Sequence, residues 1–193
     1  MKKNTFLYVL RLALTLLAIT AVMAAALAVV NQLTAGRIAA IQQEKKAEAV
    51  QKAMRTPMEV EQIDFTDDTG LVKKVYRSKG ELDDNDYVAE VEIMGFNGPI
   101  TMMVGIDSKG EVMGLSVVSH TETAGLGAVA GADSEAGKLF RGQFAYRYDA
   151  VAVTKDGGDI DAITGATVTS RAVCNGINAA LACVHQIQQE VQP

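Results

Sequence analysis

The chain has 193 residues, with 18 Lys and Arg against 23 Asp and Glu, a formal net charge of −5 and no Trp. An acidic balance with no concentrated basic face excludes nucleic acid as a partner. The length allows one domain plus an extension, and five Tyr and five Phe leave its core to Val, Ile, Leu, Met and Ala.

The stretch "LALTLLAITAVMAAALAVVNQL" (residues 12–33) carries no charge. At about 1.5 Å per residue it reaches about 30 Å, the depth of a bilayer core. Lys2, Lys3 and Arg11 precede it. A cleaved signal peptide is the competing reading, because "AVMAAALA" offers small-residue cleavage sites. The apolar run is longer than an h-region of about 7–15 residues, which favours an anchor. Residues 1–33 are therefore read as a cytoplasmic tail and transmembrane anchor. Arg37, Lys45 and Lys46 follow the span, mixed with Glu44 and Glu48, so the count of basic residues alone does not orient it. A short cationic tail ahead of a first span stays in the cytoplasm. The chain is thus expected to be single-pass in the cell (inner) membrane, with its main domain on the extracytoplasmic or periplasmic side.

Residues 34–57 read as a helical stalk. Ile38, Ile41, Val50 and Met54 recur at near-helical intervals among Gln, Glu and Lys, and Pro57 ends the pattern. Residues 58–193 read as the extracytoplasmic domain. Strands are predicted at 60–65, 71–77, 87–96, 100–107 and 111–120, separated by the turns "TDDTG", "GFNGPI" and "SKG". Together they predict an antiparallel meander. Residues 120–140 are glycine-rich and irregular, with a short helix from Ser134. "YDAVAVTKD" (148–156) reads as a further strand. A final helix over 167–189 carries Val173, Ile177, Leu181 and Val184 on one face. The fold class is α+β, an antiparallel sheet with packed helices, preceded by one transmembrane helix.

Cys174 and Cys183 lie nine apart in that helix. This puts them on opposite faces, about 13 Å apart along the axis, too far for a disulfide within one helix. No Cys or His spacing suggests a metal site. They read as buried small apolar residues, and unpaired thiols in an exported domain fit a reducing or anaerobic habitat.

The chemistry concentrates in "DIDAITGATVTSRAV" (159–173), where Thr164, Thr167, Thr169 and Ser170 put four hydroxyls in seven residues. Gly165 can adopt a positive φ, and Ala166 is small enough for close approach. Thr167 stands where the helix begins, where free N–H groups and the helix dipole favour a phosphate. Arg171, one turn on, is placed to reach back as a counter-charge. The residues alone leave two readings open: an anion site holding a nucleophilic hydroxyl, or a helix cap with spare polar groups.

This stretch resembles the flavinylation motif of the FMN-binding domain family, Asp-x-x-Ser/Thr-Gly-Ala-Thr-x-Ser/Thr, through Asp161, Thr164, Gly165, Ala166, Thr167 and Thr169. The resemblance implies that Thr167 carries FMN through a phosphoester bond made from FAD by a flavin transferase. Gly95, Phe96 and Gly98, then His120, Glu122, Thr123, Gly125, Leu126 and Gly127, resemble the Gly-aromatic-x-Gly turn and the His-x-Glu-Thr-x-Gly-Leu-Gly loop of G subunits of Rnf ion-translocating oxidoreductases. Phe96 replaces the family's Tyr, a small departure if it only packs. The resemblance covers nearly the whole chain. It implies a covalent-FMN electron carrier within a complex that couples ferredoxin/NAD electron transfer to Na⁺ or H⁺ movement, with the other membrane and peripheral subunits as partners. The loop from His120 to Gly127 would then cradle the flavin ring. Two rivals stand beside this reading. One is another flavoprotein of the family: the C subunit of the Na⁺-translocating NADH:quinone reductase, or a standalone extracytoplasmic protein. The other is a cofactor-free anchored binding or scaffold module. Gly125, Gly127 and Gly131 do not form a dinucleotide loop, because no βαβ unit surrounds them.

Overall fold

The computed structural model describes residues 2–54, 59–78 and 85–191. Pro57, the expected end of the stalk, lies outside them. Helix α1 runs unbroken from Lys2 to Ala53. Among the described residues it is the one helix long and apolar enough to cross a membrane, with a mean hydropathy of 2.5 in its most apolar stretch. Leu16, Leu17, Ile19, Val22 and Leu27 are all exposed. A helix that is apolar all round yet covered by no protein matches lipid as its solvent.

The chain forms two compact units, Met1–Glu44 and Lys45–Pro193. The last turns of α1 therefore belong to the second unit, whereas the apolar pattern of the sequence puts the boundary at residue 57. The cause is packing: Ala49, Val50, Ala53 and Met54 are buried against Val88 and Met103 of the sheet.

That sheet is a five-stranded antiparallel meander: β1 (Val60–Ile63), β2 (Val72–Ser78), β3 (Tyr87–Met94), β4 (Pro99–Ile106) and β5 (Val112–Ser119), in the order β1-β2-β3-β4-β5. The five strands expected of the meander are all present, with most ends moved by one or two residues. Side chains alternate between two covered faces. Tyr87, Ala89, Val91 and Ile93 of β3 and Ile100, Met102, Val104 and Ile106 of β4 meet α3 (Thr167–Val191) in the main core. Val88 and Met103 face the end of α1. Two buried faces explain why β3 and β4 read as almost continuous apolar runs. The exception is Glu90, 4% exposed, whose Oε1 accepts a hydrogen bond from Lys46 Nζ at 2.5 Å.

Residues 148–156 are not a strand. Val151 and Val153 are buried in the alternating manner that suggested one, but among the described residues no sheet edge pairs with them. The Val151 N–H and C=O are satisfied by the side-chain amide of Asn178 on α3, at 2.8 and 2.9 Å. Val153 makes a single bridge to Ile160, and Thr154–Asp156 closes as a 3-10 turn. Helix α2 (Glu135–Gly142) starts as expected, with Ser134 Oγ accepting the Gly137 N–H at 3.2 Å.

Cys174 and Cys183 are free and buried. Both sides of α3 are covered at this level, the sheet packing against the helix and Thr66 C=O accepting from Cys183 Sγ at 3.6 Å. Burial pushes both thiols up to about 11 from an ordinary value of 9.0. A pKa raised on folding favours the native state below the unfolded value, and that advantage is lost as pH rises through the folded one. Two outcomes follow. At pH 8 the native protein should resist iodoacetamide and take up two equivalents only after denaturation, as read by mass. Stability should fall between about pH 9 and pH 11. Separately, a Cβ at Gly176 would sit 2.1 Å from Met102 Cε, so Gly176→Val should lift α3 off the sheet and cost about 1–3 kcal/mol in urea unfolding.

Candidate functional site

The site is built at the N-terminus of α3. Ile163 C=O accepts the Ala166 N–H at 2.9 Å, and Gly165 holds φ +75°. Ser170, fully buried, closes this turn: its Oγ donates to Ala166 C=O and accepts from Ile163 N–H, both at 3.0 Å. The residue before the helix is Ala166, whose carbonyl also accepts the Ser170 N–H at 3.0 Å. Alanine has no side-chain acceptor, so none of the four hydroxyls acts as the N-cap. The first-turn N–H groups of Thr167, Val168 and Thr169 have no carbonyl four residues back within the helix, and the helix dipole adds positive potential there.

Thr169 is turned inward. Its Oγ1 donates to Glu122 Oε2 at 2.5 Å, while Glu122 Oε1 accepts the Asn97 N–H at 3.0 Å. Asn97 Nδ2 donates in turn to Thr123 Oγ1 at 3.0 Å. Glu122, only 8% exposed, thus joins the β3–β4 turn, the loop after β5 and the start of α3. A Cβ at Gly127 would lie 2.3 Å from Glu122 Oε2 and 2.5 Å from Thr169 Oγ1. The glycine there makes room for this junction.

A cleft of about 360 Å³ opens above it. Its walls are Phe96, Leu126 and Val168, which are 69%, 42% and 48% exposed, and its polar lining is Glu122, Thr123, Lys155, Thr167 and Thr169. Gly165, Ala166 and Gly127 complete it. Thr167 is half-buried, and Lys155 Nζ stands 3.4 Å from its Oγ1. The arrangement offers a phosphate-favouring helix start, a lysine beside a threonine hydroxyl, and apolar walls able to take a flat ring. These residues fit FMN in their chemistry, an apolar seat for a ring beside a helix start that favours a phosphate.

The remaining sequence candidates are distributed differently. Gly125, Asp161 and Thr164 line an adjoining cleft of about 600 Å³. There the Asp161 backbone is held by Gln143, at 2.7 Å through its N–H and 3.1 Å through its C=O. His120 lines another depression of about 650 Å³ with Lys45, Lys52 and Arg141, apart from Thr167. Arg171 does not reach back to Thr167. Its Nε and Nη2 donate to Asp156 Oδ2 and Oδ1, each at 2.6 Å, and these bonds hold the Asp156 carboxyl below the usual carboxylate range. Sequence reasoning missed Lys155, twelve positions before Thr167 and without a motif. Phe96, which replaces the family's Tyr, does not only pack: its ring forms an exposed wall of the cleft.

Fold and site together define a class. Residues 95–182 match the FMN-binding domain, and residues 1–52 match the RnfG N-terminal region. Relatives sharpen this. The chain is 32% identical over 173 residues to the G subunit of the ion-translocating oxidoreductase complex of Methanosarcina acetivorans, covering 86% of this chain and 89% of that one. It is 30% identical over 189 residues to the G subunit of the Na⁺-translocating ferredoxin:NAD⁺ oxidoreductase complex of Acetobacterium woodii, covering 90% of each. With the G subunit of the proton-translocating ferredoxin:NAD⁺ oxidoreductase complex of Clostridium ljungdahlii, identity is 44% over 99 residues, and the match spans about half of that relative, 51%. The chain belongs to the family of G subunits of ion-translocating oxidoreductase complexes. Its apolar helix and this membership make it a membrane-associated protein. A solved structure of the C subunit of the Na⁺-translocating NADH-quinone reductase from Parabacteroides distasonis shares the fold, with a TM-score of 0.53 at 18% identity over 75% of this chain and 94% of that one.

Glu122→Ala would remove a buried acceptor shared by Thr169 and the Asn97 N–H and should cost about 2–3 kcal/mol, read as a lower urea midpoint with unchanged slope.

Proposed function

We propose that this protein is the G subunit of an Rnf-type complex, a membrane-anchored carrier of electrons whose FMN is bound covalently to Thr167. In this reading the complex couples electron transfer between ferredoxin and NAD to the movement of Na⁺ or H⁺. The domain lies on the extracytoplasmic side behind a single span. When bound, the flavin supplies the redox chemistry. The chain's own residues hold and position it. Attachment uses FAD as donor and a flavin transferase as catalyst. The Thr167 Oγ–P bond forms as the P–O bond to AMP breaks, AMP departs, and the hydroxyl proton passes to a base of the transferase. The α3 N–H groups favour the phosphate, and Phe96, Leu126 and Val168 offer the ring an apolar seat.

One observation carries the reading. Of the four hydroxyls in the motif, Ser170 is consumed by the turn, Thr169 by Glu122, and Thr164 lines the adjoining cleft; Thr167 alone stands beside a cation at the helix start. The test is intact mass of the full chain produced with a flavin transferase, beside Thr167→Ala. Wild type should gain one FMN residue and the variant none. A wild type that stays unmodified while the transferase loads a known acceptor would refute the assignment.

A further inference from the structure

We infer that Lys155 is the phosphate counter-charge of the attachment site, and that Arg171 serves it indirectly by clamping the turn that carries Lys155. This rests on the assignment of the flavin phosphate to Thr167. Among the described residues Lys155 is the one cationic side chain lining the Thr167 cleft, with Nζ 3.4 Å from Oγ1. It sits in the middle of the 3-10 turn Thr154–Asp156. That turn is fixed at two points. The first is local: Thr154 N–H donates to Ile160 C=O at 2.9 Å, and Gly158 N–H to Val153 C=O at 3.2 Å. The second is the paired contact of Arg171 with both oxygens of Asp156. Two parallel bonds fix orientation as well as distance. Asp156 is the next residue after Lys155, so the clamp ties the lysine's backbone to the first turns of α3, the element that carries Thr167.

The division of labour follows from geometry and charge. Arg171 is already neutralised by Asp156, so it offers a phosphate little additional field. Lys155 has no such carboxylate contact at hydrogen-bond distance among the described residues. During attachment negative charge gathers on the phosphoryl oxygens beside Thr167 Oγ1. An ammonium carried there by a clamped turn acts where charge develops. Lys155 takes no proton in this scheme; the transferase base does. Arg171 is a positioning residue.

The test measures the initial rate of FMN incorporation by intact mass, using the flavin-free full chain in detergent with FAD and transferase. Lys155→Gln should slow incorporation about tenfold or more, and Lys155→Arg should keep most of the rate. Arg171→Ala should slow it severalfold in the wild-type background and scarcely at all in the Lys155→Gln background, since it acts through Lys155. The ³¹P resonance of the loaded protein should move in Lys155→Gln and return toward the wild-type position in Lys155→Arg, with thermal unfolding of Lys155→Gln unchanged. Wild-type kinetics in Lys155→Gln would overturn the assignment. An equal effect of Arg171→Ala in both backgrounds would give Arg171 its own contact with the phosphate and overturn the clamp. Wild type that gains no mass would instead refute the Thr167 assignment itself, and this one with it.

Discussion

The Glu122 carboxylate is the constraint on which the site depends. It is buried, and hydrogen bonds to its oxygens offset the cost of taking the carboxylate out of water. One oxygen takes the Thr169 hydroxyl and the other the Asn97 N–H. Those partners belong to the start of α3 and to the β3–β4 turn, while Glu122 itself follows β5. Three segments distant in sequence are thereby fixed to one another within a single side chain's reach. Phe96 precedes Asn97, Leu126 follows Glu122 by four residues, and Thr167 and Val168 lie just before Thr169, so the three walls and the hydroxyl are set by the same carboxylate.

Around this junction the domain is organised by a sheet with two covered faces. The face toward α3 supplies the main core and brings the helix start to the loop after β5. Gly176 keeps the helix close at the crossing with Met102. Arg141 secures the neighbouring loop, donating to the carbonyls of Ala130 and Ala132 at 2.8 and 2.9 Å. Rigid supports of this kind suit a carrier, because an electron-transfer centre gains from a fixed seat more than from moving parts.

Much of this was legible in the sequence, for identifiable reasons. The meander announced itself because its turns carry glycine and Asp, Asn or Ser at short spacing, and α3 because Val173, Ile177, Leu181 and Val184 follow the helical period. The segment 148–156 misled because alternating burial of Val151 and Val153 looks the same whether the backbone bonds to a strand or to the amide of Asn178. The motif marked Thr167 but left the roles of its neighbours open. The hydroxyls of Ser170 and Thr169 are hydrogen-bonded within the protein, to Ala166 C=O and to Glu122, partners that local pattern does not disclose. Arg171 was assigned by helical spacing alone, and spacing says nothing of Asp156, brought opposite it by a turn fifteen residues earlier. Lys155 was invisible for the same reason. His120 shares a motif with Glu122 yet lines a different depression, with Lys45, Lys52 and Arg141, and nearness in sequence does not reveal which cleft a loop residue joins.

The burial of Ala49–Met54 against Val88 and Met103 has a bearing on how the domain is to be isolated. A soluble fragment begun at residue 58, where the pattern of apolar residues suggests the domain opens, would strip one face of the sheet. It would uncover two apolar side chains that are fully buried and leave Glu90 without Lys46, a buried charge with no partner. A fragment begun at residue 45 keeps the covering turns and the lysine. The tail end of the anchor helix is therefore a piece of the globule's own packing, and severing the chain at the membrane surface and severing it at the edge of the fold are different operations.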